Sequence, residues 1–459
     1  MIVCRSKSGK RLFVMGLGLS GLATVAALVA GGAIVIAWDD REDRRAEAAR
    51  LGARIENPEQ ADWKSIDALV LSPGIPHTHP APHPAAAHAK AAGIAIIGDV
   101  ELLLAECPDA RVIAITGTNG KSTTTALIGH IFASAGQRAE VGGNLGTPVL
   151  SFAPLDADGT YILELSSYQL ELTPSLAPDI AILLNISPDH LERHGGLAGY
   201  IAAKQRIFAN QAPGATAIAG IDDADAAAIA DTLAQVIRIS GNDTAAADIR
   251  SSGTRLIEGS AMLHDLAAAR TLPGAHNHQN AAAAFAAARA AGIAEEVIAK
   301  AIDSFPGLAH RQELVAECGG VRYVNDSKAT NADATERALG CYQPLYWIAG
   351  GRAKEGGIAP LKPYFPRIRH AFLIGESAAN FGATLGDAVP HTSCGTLDKA
   401  VSAAHAMAKQ EHLDGATLLL SPAAASWDQF DSFEQRGDRF RDQVLQLTSG
   451  AASSGEARP

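Results

Sequence analysis

The residues with the plainest chemical consequence are Thr116-Gly117-Thr118-Asn119-Gly120-Lys121-Ser122-Thr123. They follow an apolar run, Val112-Ile113-Ala114-Ile115, and precede a helical pattern that reaches about Ala135. Strand, glycine turn and helix in that order make a phosphate cradle. The glycines let backbone N–H groups turn towards phosphate oxygens, and the helix adds its own free N–H groups and positive dipole end. Lys121 can reach the outer phosphates of a nucleoside triphosphate, and the Ser122 hydroxyl can ligate Mg2+. Gly117, Thr118, Asn119, Gly120 and Thr123 supply the surrounding backbone. The commoner form of this loop has glycine where Ile115 stands here, so the general motif is half satisfied.

Two further residues sit where such a loop needs them. Glu164 closes the apolar run Tyr161–Leu163, and His190 follows the run Ile180–Leu184. In a parallel sheet both would lie at the carboxyl edge, beside the phosphate loop. Alone, Glu164 reads as a residue near a helix start and His190 as a surface histidine. Three strand ends supplying Ser122, Glu164 and His190 point together to a Mg2+ site.

An earlier turn invites another ligand. Gly16-Leu17-Gly18-Leu19-Ser20-Gly21 follows the strand-like Leu12–Met15, and Asp39-Asp40 comes about twenty residues later, as in a dinucleotide fingerprint. An oxidoreductase built on this turn would leave the phosphate loop, Glu164 and His190 without work. His77, His79, His83 and His88 crowd one stretch, but interleaved prolines and alanines, with no carboxylate or cysteine joining them, favour a loop running into a helix.

These residues need a scaffold of alternating strands and helices. The chain has 459 residues, 47% of them hydrophobic, which suits several α/β units and excludes wholesale disorder. Its net charge of −11 argues against general affinity for nucleic acid or anionic membranes. Five scattered cysteines without a CxxC pair suit a reduced, cytoplasmic chain. The uncharged run from Leu12 to Trp38 is long enough for a membrane span, but its glycines divide it into strand, turn, helix and strand. Strands are expected at Leu12–Met15, Ala33–Trp38, Ala68–Leu71, Ile94–Ile97, Val112–Ile115, Tyr161–Leu163, Ile180–Leu184, Val321–Val324, Leu345–Ile348, Ala371–Ile374 and Thr417–Leu420. Alanine-rich helices are expected from about 198 to 302, broken at Thr271-Leu272-Pro273-Gly274. The division read from this pattern is 1–99, 100–306, 307–447 and a flexible tail, 448–459.

Thr116-Gly117-Thr118-Asn119-Gly120-Lys121-Ser122-Thr123 resembles the phosphate loop of the Mur ligase superfamily, which joins amino acids to carboxylates through acyl phosphates. Gly142–Gly146, Glu164–Glu171, Asn185–Leu191, Gly274–Asn277 and His310-Arg311 look like further signatures of that family in the expected order. Asn325–Asn331 and Ser421–Phe430 are similar to the members that add D-glutamate. The resemblance implies three tandem α/β domains: a Rossmann-like N-terminal domain, a central P-loop-type ATP-binding domain with a parallel sheet, and a Rossmann-like C-terminal domain. It implies ATP and two Mg2+ ions, with UDP-N-acetylmuramoyl-L-alanine and D-glutamate as substrates in peptidoglycan synthesis, and a monomer. Ser122, Glu164, His190 and an N-carbamoylated Lys204 would be the metal ligands. Lys121, Glu164, His190 and Lys204 would be the catalytic residues. Asn277, Asn280, Arg311 and Asp326 carry over to ATP. Leu19, Ser20, Asp39, Asp40 and Asn144 carry over to the UDP-substrate, and Lys328, Thr330, Lys354, Ser426 and Phe433 to the glutamate side. Asp40 departs from the family's usual threonine, and Ala424 and Trp427 depart from its Cys and its Leu or Phe. The enantiomer of glutamate rests on the resemblance alone.

Overall fold

A computed structural model describes residues 1–354 and 356–452. Its first sheet holds β1 (Arg11–Met15), β2 (Ile34–Trp38), β3 (Arg54–Ile55), β4 (Ala68–Leu71) and β5 (Ala95–Ile97), in the order β3-β2-β1-β4-β5. All neighbours are parallel; Leu12 lies opposite Val35 on one side and Ala68 on the other. Strands covered on both faces read as continuous apolar runs, which is why β1 and β4 carry Leu, Phe, Val and Met without alternation. The uncharged run Leu12–Trp38 is therefore β1, the helix Leu19–Ala30 and β2. Among the described residues no helix is long and apolar enough to cross a membrane.

The second sheet holds β6 (Arg111–Thr116), β7 (Ala139–Gly143), β8 (Thr160–Glu164), β9 (Ile180–Leu183), β10 (Thr216–Gly220), β11 (Ile237–Ser240), β12 (Ile249–Ser252), β13 (Arg255–Glu258) and β14 (Ala261–Asp265). Their order is β14-β13-β12-β11-β10-β9-β6-β8-β7, parallel from β12 to β7, with β13 and β14 added antiparallel. The strands β10 to β14 interrupt the stretch 198–302, where alanine-rich helices are expected to dominate. Thr216-Ala217-Ile218-Ala219-Gly220 mixes alanine with the β-branched Thr and Ile, and pairing of Thr216 with Ile180 along β9 decides the outcome. The helix Ala275–Ala290 does form, and Ala281 to Ala288 are all buried along it.

One apolar core runs from Leu12, Val14 and Val25 by the first sheet, through Val100 and Leu103, to Val112, Tyr161 and Leu183 of the second. The third sheet holds β15 (Glu313–Cys318), β16 (Val321–Asn325), β17 (Leu345–Gly350), β19 (Ile368–Ile374), β20 (His391–Gly395) and β21 (Thr417–Leu420). Its order is β15-β16-β21-β17-β19-β20, and only β15 is antiparallel. A separate antiparallel ribbon joins β18 (Arg352–Ala353) to β22 (Ala424–Ala425). The chain divides into two compact units, one of Met1–Ala267 with Asn277–Ser304, the other of Ala268–His276 with residues from Phe305 onwards. The final helix, Phe433–Ala452, continues through 448–452, where a flexible tail was expected; 453–459 lie outside the described residues.

Candidate active site

In the first unit β6 lies between β8 and β9, with Ile115 opposite Glu164 and Ile182. The phosphate loop leaves β6 after Thr116, and Gly120 turns it at φ +85° into the helix Lys121–Ser134. A Cβ on Gly120 would stand 2.3 Å from Asn280 Oδ1, so only glycine fits. Lys121 Nζ donates to the carbonyls of Gly117 and Thr118, both at 2.9 Å, and so lies folded over its own loop. Ser122 and Thr123 are buried. Asn280 accepts from Thr124 Oγ1 at 3.3 Å and donates to Asn277 Oδ1 at 3.1 Å, which brings both asparagines beside the loop.

Glu164 is only 2% exposed. Asn144 Nδ2 donates to its Oε1 at 2.9 Å, while its Oε2 is buried without a hydrogen-bond partner. A buried carboxylate oxygen left bare is costly unless a cation or donor arrives. Lys204 is 1% exposed, and its Nζ donates to Gly117 O at 2.8 Å beside the Tyr200 ring. Burial, reinforced by the charge of Lys121, holds its amine well below the usual lysine range. His190 adopts a left-handed φ of 51°, lies 5.4 Å from the Tyr168 ring centre and approaches Asp189 at 3.5 Å. Among the described residues no three His, Cys, Asp or Glu side chains converge as a metal site. The bare Glu164 oxygen nevertheless fits a cation whose other ligands are a hydroxyl, phosphate oxygens or a modified lysine.

The first glycine turn lies at the switch point between β1 and β4, where strand order reverses. Asp39 braces it: Oδ2 accepts from Leu17 N at 2.6 Å and Oδ1 from Arg41 N at 2.9 Å. Asp40 is exposed, and its carbonyl accepts from Arg45. Leu19 is 72% exposed at the helix start. Ser20 lines a small hollow with Thr24, Ser72, Pro73 and Asp99. Burial raises the Asp99 carboxyl to about 6. The histidines of the neighbouring stretch are spread apart. His83 caps the helix Pro84–Ala91, His88 meets Glu59 at 3.3 Å, and His77 faces Glu171 at 3.9 Å.

The second unit gathers the other residues around two loops. Asp326 Oδ1 accepts from Gln312 N at 3.2 Å and Oδ2 from Ser421 Oγ at 2.8 Å. Burial raises its carboxyl to about 7, against these bonds and the charges of Arg311 and Arg436. Lys328 Nζ lies 5.3 Å above the half-buried Phe433 ring, and Thr330 N donates to Lys328 O at 2.9 Å. The β18–β22 ribbon sets Lys354, exposed, and Ser426, buried, one residue beyond its paired positions. Sequence reasoning missed Arg436, which is fully buried. It donates to Ser327 Oγ and O and to Ala424 O, clamping the two loops together. It missed Tyr200 too, whose hydroxyl lies 2.9 Å from Thr118 Oγ1. Neither belongs to a short motif, so only a buried polar residue amid apolar spacing could have signalled them.

A phosphate loop and a strand-end carboxylate on one parallel sheet define a nucleotide-dependent enzyme of the α/β class. The profile of the Mur ligase middle domain matches residues 115–288, and that of the Mur ligase MurD-like N-terminal domain matches residues 10–98. The chain is 54% identical to the UDP-N-acetylmuramoylalanine–D-glutamate ligase of Paramagnetospirillum magneticum, over 97% of this chain and 98% of that one. It is 51% identical to the enzyme of the same name from Rhodospirillum rubrum, over 98% of each. In fold it is similar to the UDP-N-acetylmuramate-alanine ligase MurC of Thermotoga maritima, with TM-score 0.59 and 18% identity over 95% of this chain and 99% of that one. MurF of Acinetobacter baumannii gives 0.60 and 18% over 94% and 93%. This chain belongs to the Mur ligase family.

Proposed function

We propose that the chain adds D-glutamate to UDP-N-acetylmuramoyl-L-alanine, coupled to cleavage of ATP to ADP and phosphate, in peptidoglycan precursor synthesis. The reading is carried by one observation: a buried Glu164, held by Asn144 and bare at Oε2, at the strand end beside a phosphate loop, in a chain about half identical to ligases of that name throughout their length. The L-alanyl carboxylate attacks the γ-phosphorus, ADP leaves, and an acyl phosphate remains. The amine of D-glutamate attacks its carbonyl carbon, and the tetrahedral adduct collapses to amide and phosphate.

The chain's own residues position and stabilise these steps. Lys121 exchanges its loop carbonyls for phosphate oxygens, and the N–H groups at the helix start, from Gly120 on, hold the phosphates, those of Thr118 and Asn119 being taken by Asn185. Asn277 and Asn280 face the adenine, and Arg311 and Asp326 bind ATP phosphate and ribose. Ser122 and Glu164 would hold one Mg2+, His190 and a carbamoylated Lys204 a second. Bound Mg2+ supplies neutralising charge to the two anionic substrates and the migrating phosphoryl group. The depressed amine of Lys204 suits carbamoylation, because the neutral form adds CO2. His190 orients the incoming amine. Leu19, Ser20, Asp39 and Asp40 take the uridine diphosphate and Asn144 the sugar side. Lys328, Thr330, Lys354, Ser426 and Phe433 take the two carboxylates of glutamate. The unpaired cysteines suit the cytoplasm, and we take the enzyme to act as a monomer there.

Release of ADP with UDP-N-acetylmuramoyl-L-alanine and each glutamate enantiomer tests the reading. Turnover with D-glutamate alone is expected. No turnover with either enantiomer overturns the assignment, and turnover with L-glutamate alone makes it a stereochemically different ligase.

A further inference from the structure

Beyond the residues assigned above, the segment Asn185–Ser187, which runs from β9 towards His190, is zipped to the phosphate loop. Thr118 N donates to Asn185 O at 2.9 Å, Asn119 N to Asn185 Oδ1 at 2.9 Å, and Asn185 Nδ2 to Asn119 O at 3.1 Å. Next along, Ser187 N donates to Thr118 Oγ1 at 3.0 Å, and Thr118 Oγ1 lies 3.1 Å from Ser187 O. One carboxamide thus closes on both backbone groups of Asn119. An amide carries, side by side and at any pH, the neutral donor and acceptor that such a closure needs.

The clamp is itself held. Asn185 Nδ2 stands 3.5 Å from Gln279 Oε1, and Gln279 Nε2 donates to Asp222 Oδ2 at 3.0 Å. Asp222 also accepts from Gly241 N at 2.8 Å, Asn242 Nδ2 at 3.1 Å and the Ser240 hydroxyl. Asp223 Oδ2 accepts from Ile186 N at 3.0 Å. Gln279 lies on the helix Ala275–Ala290 that also carries Asn277 and Asn280.

We propose that Asn185 is a positioning residue for the reaction. It fixes which way the Asn119 peptides point their N–H groups, and in the same bonds fixes the offset between the phosphate loop and His190. Gln279 relays that constraint from the helix bearing Asn280. The proposal rests on reading residues 116–123 as the ATP site.

The test compares Asn185→Ala and Gln279→Leu with the parent chain. Binding of ADP with Mg2+ is measured by calorimetry, KM by steady-state assay for each of the three substrates, and folding by thermal melting. Asn185→Ala is expected to weaken ADP binding and raise the KM for ATP about tenfold or more, and to lower kcat, since two hydrogen bonds to the loop are lost. The other two KM values should stay within about twofold, the margin of a substitution that touches neither substrate. Gln279→Leu should shift the same quantities in the same direction by about threefold, as the loss of one supporting bond. A folded Asn185→Ala with unchanged ADP affinity and kcat/KM for ATP overturns the proposal, and so does an equal rise in all three KM values. If Asn185→Ala does not fold, Gln279→Leu decides by the same criteria. A parent chain that binds no ADP overturns the underlying reading of the loop, and the proposal with it.

Discussion

Two glycine turns in the first unit share a backbone plan and differ in what surrounds them. Gly16–Gly21 leaves β1, between β2 and β4; Gly117–Gly120 leaves β6, between β8 and β9; each opens a helix at a carboxyl edge. The first helix begins with Leu19 and Ser20 and has no basic residue in its opening turn, whereas the second begins Lys121-Ser122-Thr123. Behind the first turn stand Asp39, on Leu17 N, and Ser72, whose hydroxyl donates to Gly16 O at 3.0 Å. Behind the second stand Asn185, the buried Lys204 and the bare oxygen of Glu164. The turn itself is a general anion cradle. On the proposed function, the side chains around them make one a holder and the other the place where a phosphoryl group moves.

Removing the charge that only the second turn carries breaks this contrast most. Lys121→Ala should lower kcat about a thousandfold or more while the fold survives, because the lost cation faces the transferring phosphoryl group. Ser20→Ala at the first turn should change only the KM for the UDP-substrate, a few-fold. Near-normal ADP release by Lys121→Ala would remove the distinction altogether. Lys204→Ala should lose about a hundredfold or more, as a lost electrostatic group near the reacting phosphates does. A short carboxylic acid should restore part of the rate if a carbamate is the working form, and absence of any rescue would count against the carbamate.

Within the first turn, two glycines separate packing from binding. A Cβ on Gly21 would fall 1.9 Å from Gly16 O, but one on Gly18 meets nothing within 4 Å. Gly21→Ala should destabilise the fold by about 2–4 kcal/mol, through overpacking against backbone. Gly18→Ala should leave the melting temperature alone and raise only the KM for the UDP-substrate. Equal melting temperatures for the two variants would contradict this division. A pH-dependent effect concerns Asp326 in the second unit, whose carboxyl burial raises to about 7. Between its unfolded value and that value the folded chain holds a proton that the unfolded chain has lost. Stability from this group therefore falls as pH rises through that window and levels off above it, with a slope of at most about 1.4 kcal/mol per pH unit. Denaturant melts of the parent and Asp326→Asn between pH 5 and about 8 should diverge in that direction; parallel curves would show that the carboxyl does not titrate there.

Much of the scaffold was legible because its strands carry unbroken apolar runs bounded by glycine or polar residues. The expected strands at Ala68–Leu71 and Thr417–Leu420 coincide with β4 and β21, and the others fall within one to three residues of the observed ones. The strands β10 to β14 were not legible, because they are four or five residues long and set among alanine-rich helices, and such short segments suit helix and strand alike until a neighbour such as β9 offers a ladder. The edge strand β20 carries too few apolar residues to announce itself.

The site divides the same way. The phosphate loop could be read from sequence because its function depends on adjacent residues, glycine for the turn and Lys-Ser beside it. Glu164 could be placed beside the phosphate loop because it ends β8, which pairs with β6; His190 lies beyond the end of β9, against Tyr168 and Asp189. Asn185, Gln279, Arg436 and the desolvation of Lys204 could not be read, because each takes its meaning from partners distant in sequence: Asn119, Asp222, Ser327 and Gly117. Local spacing determined where phosphate can be held. Tertiary packing alone decided which side chains fix the loop, which carboxylate oxygen stays bare, and which amine is buried away from water, since burial and long-range hydrogen bonds exist only once the strands have paired.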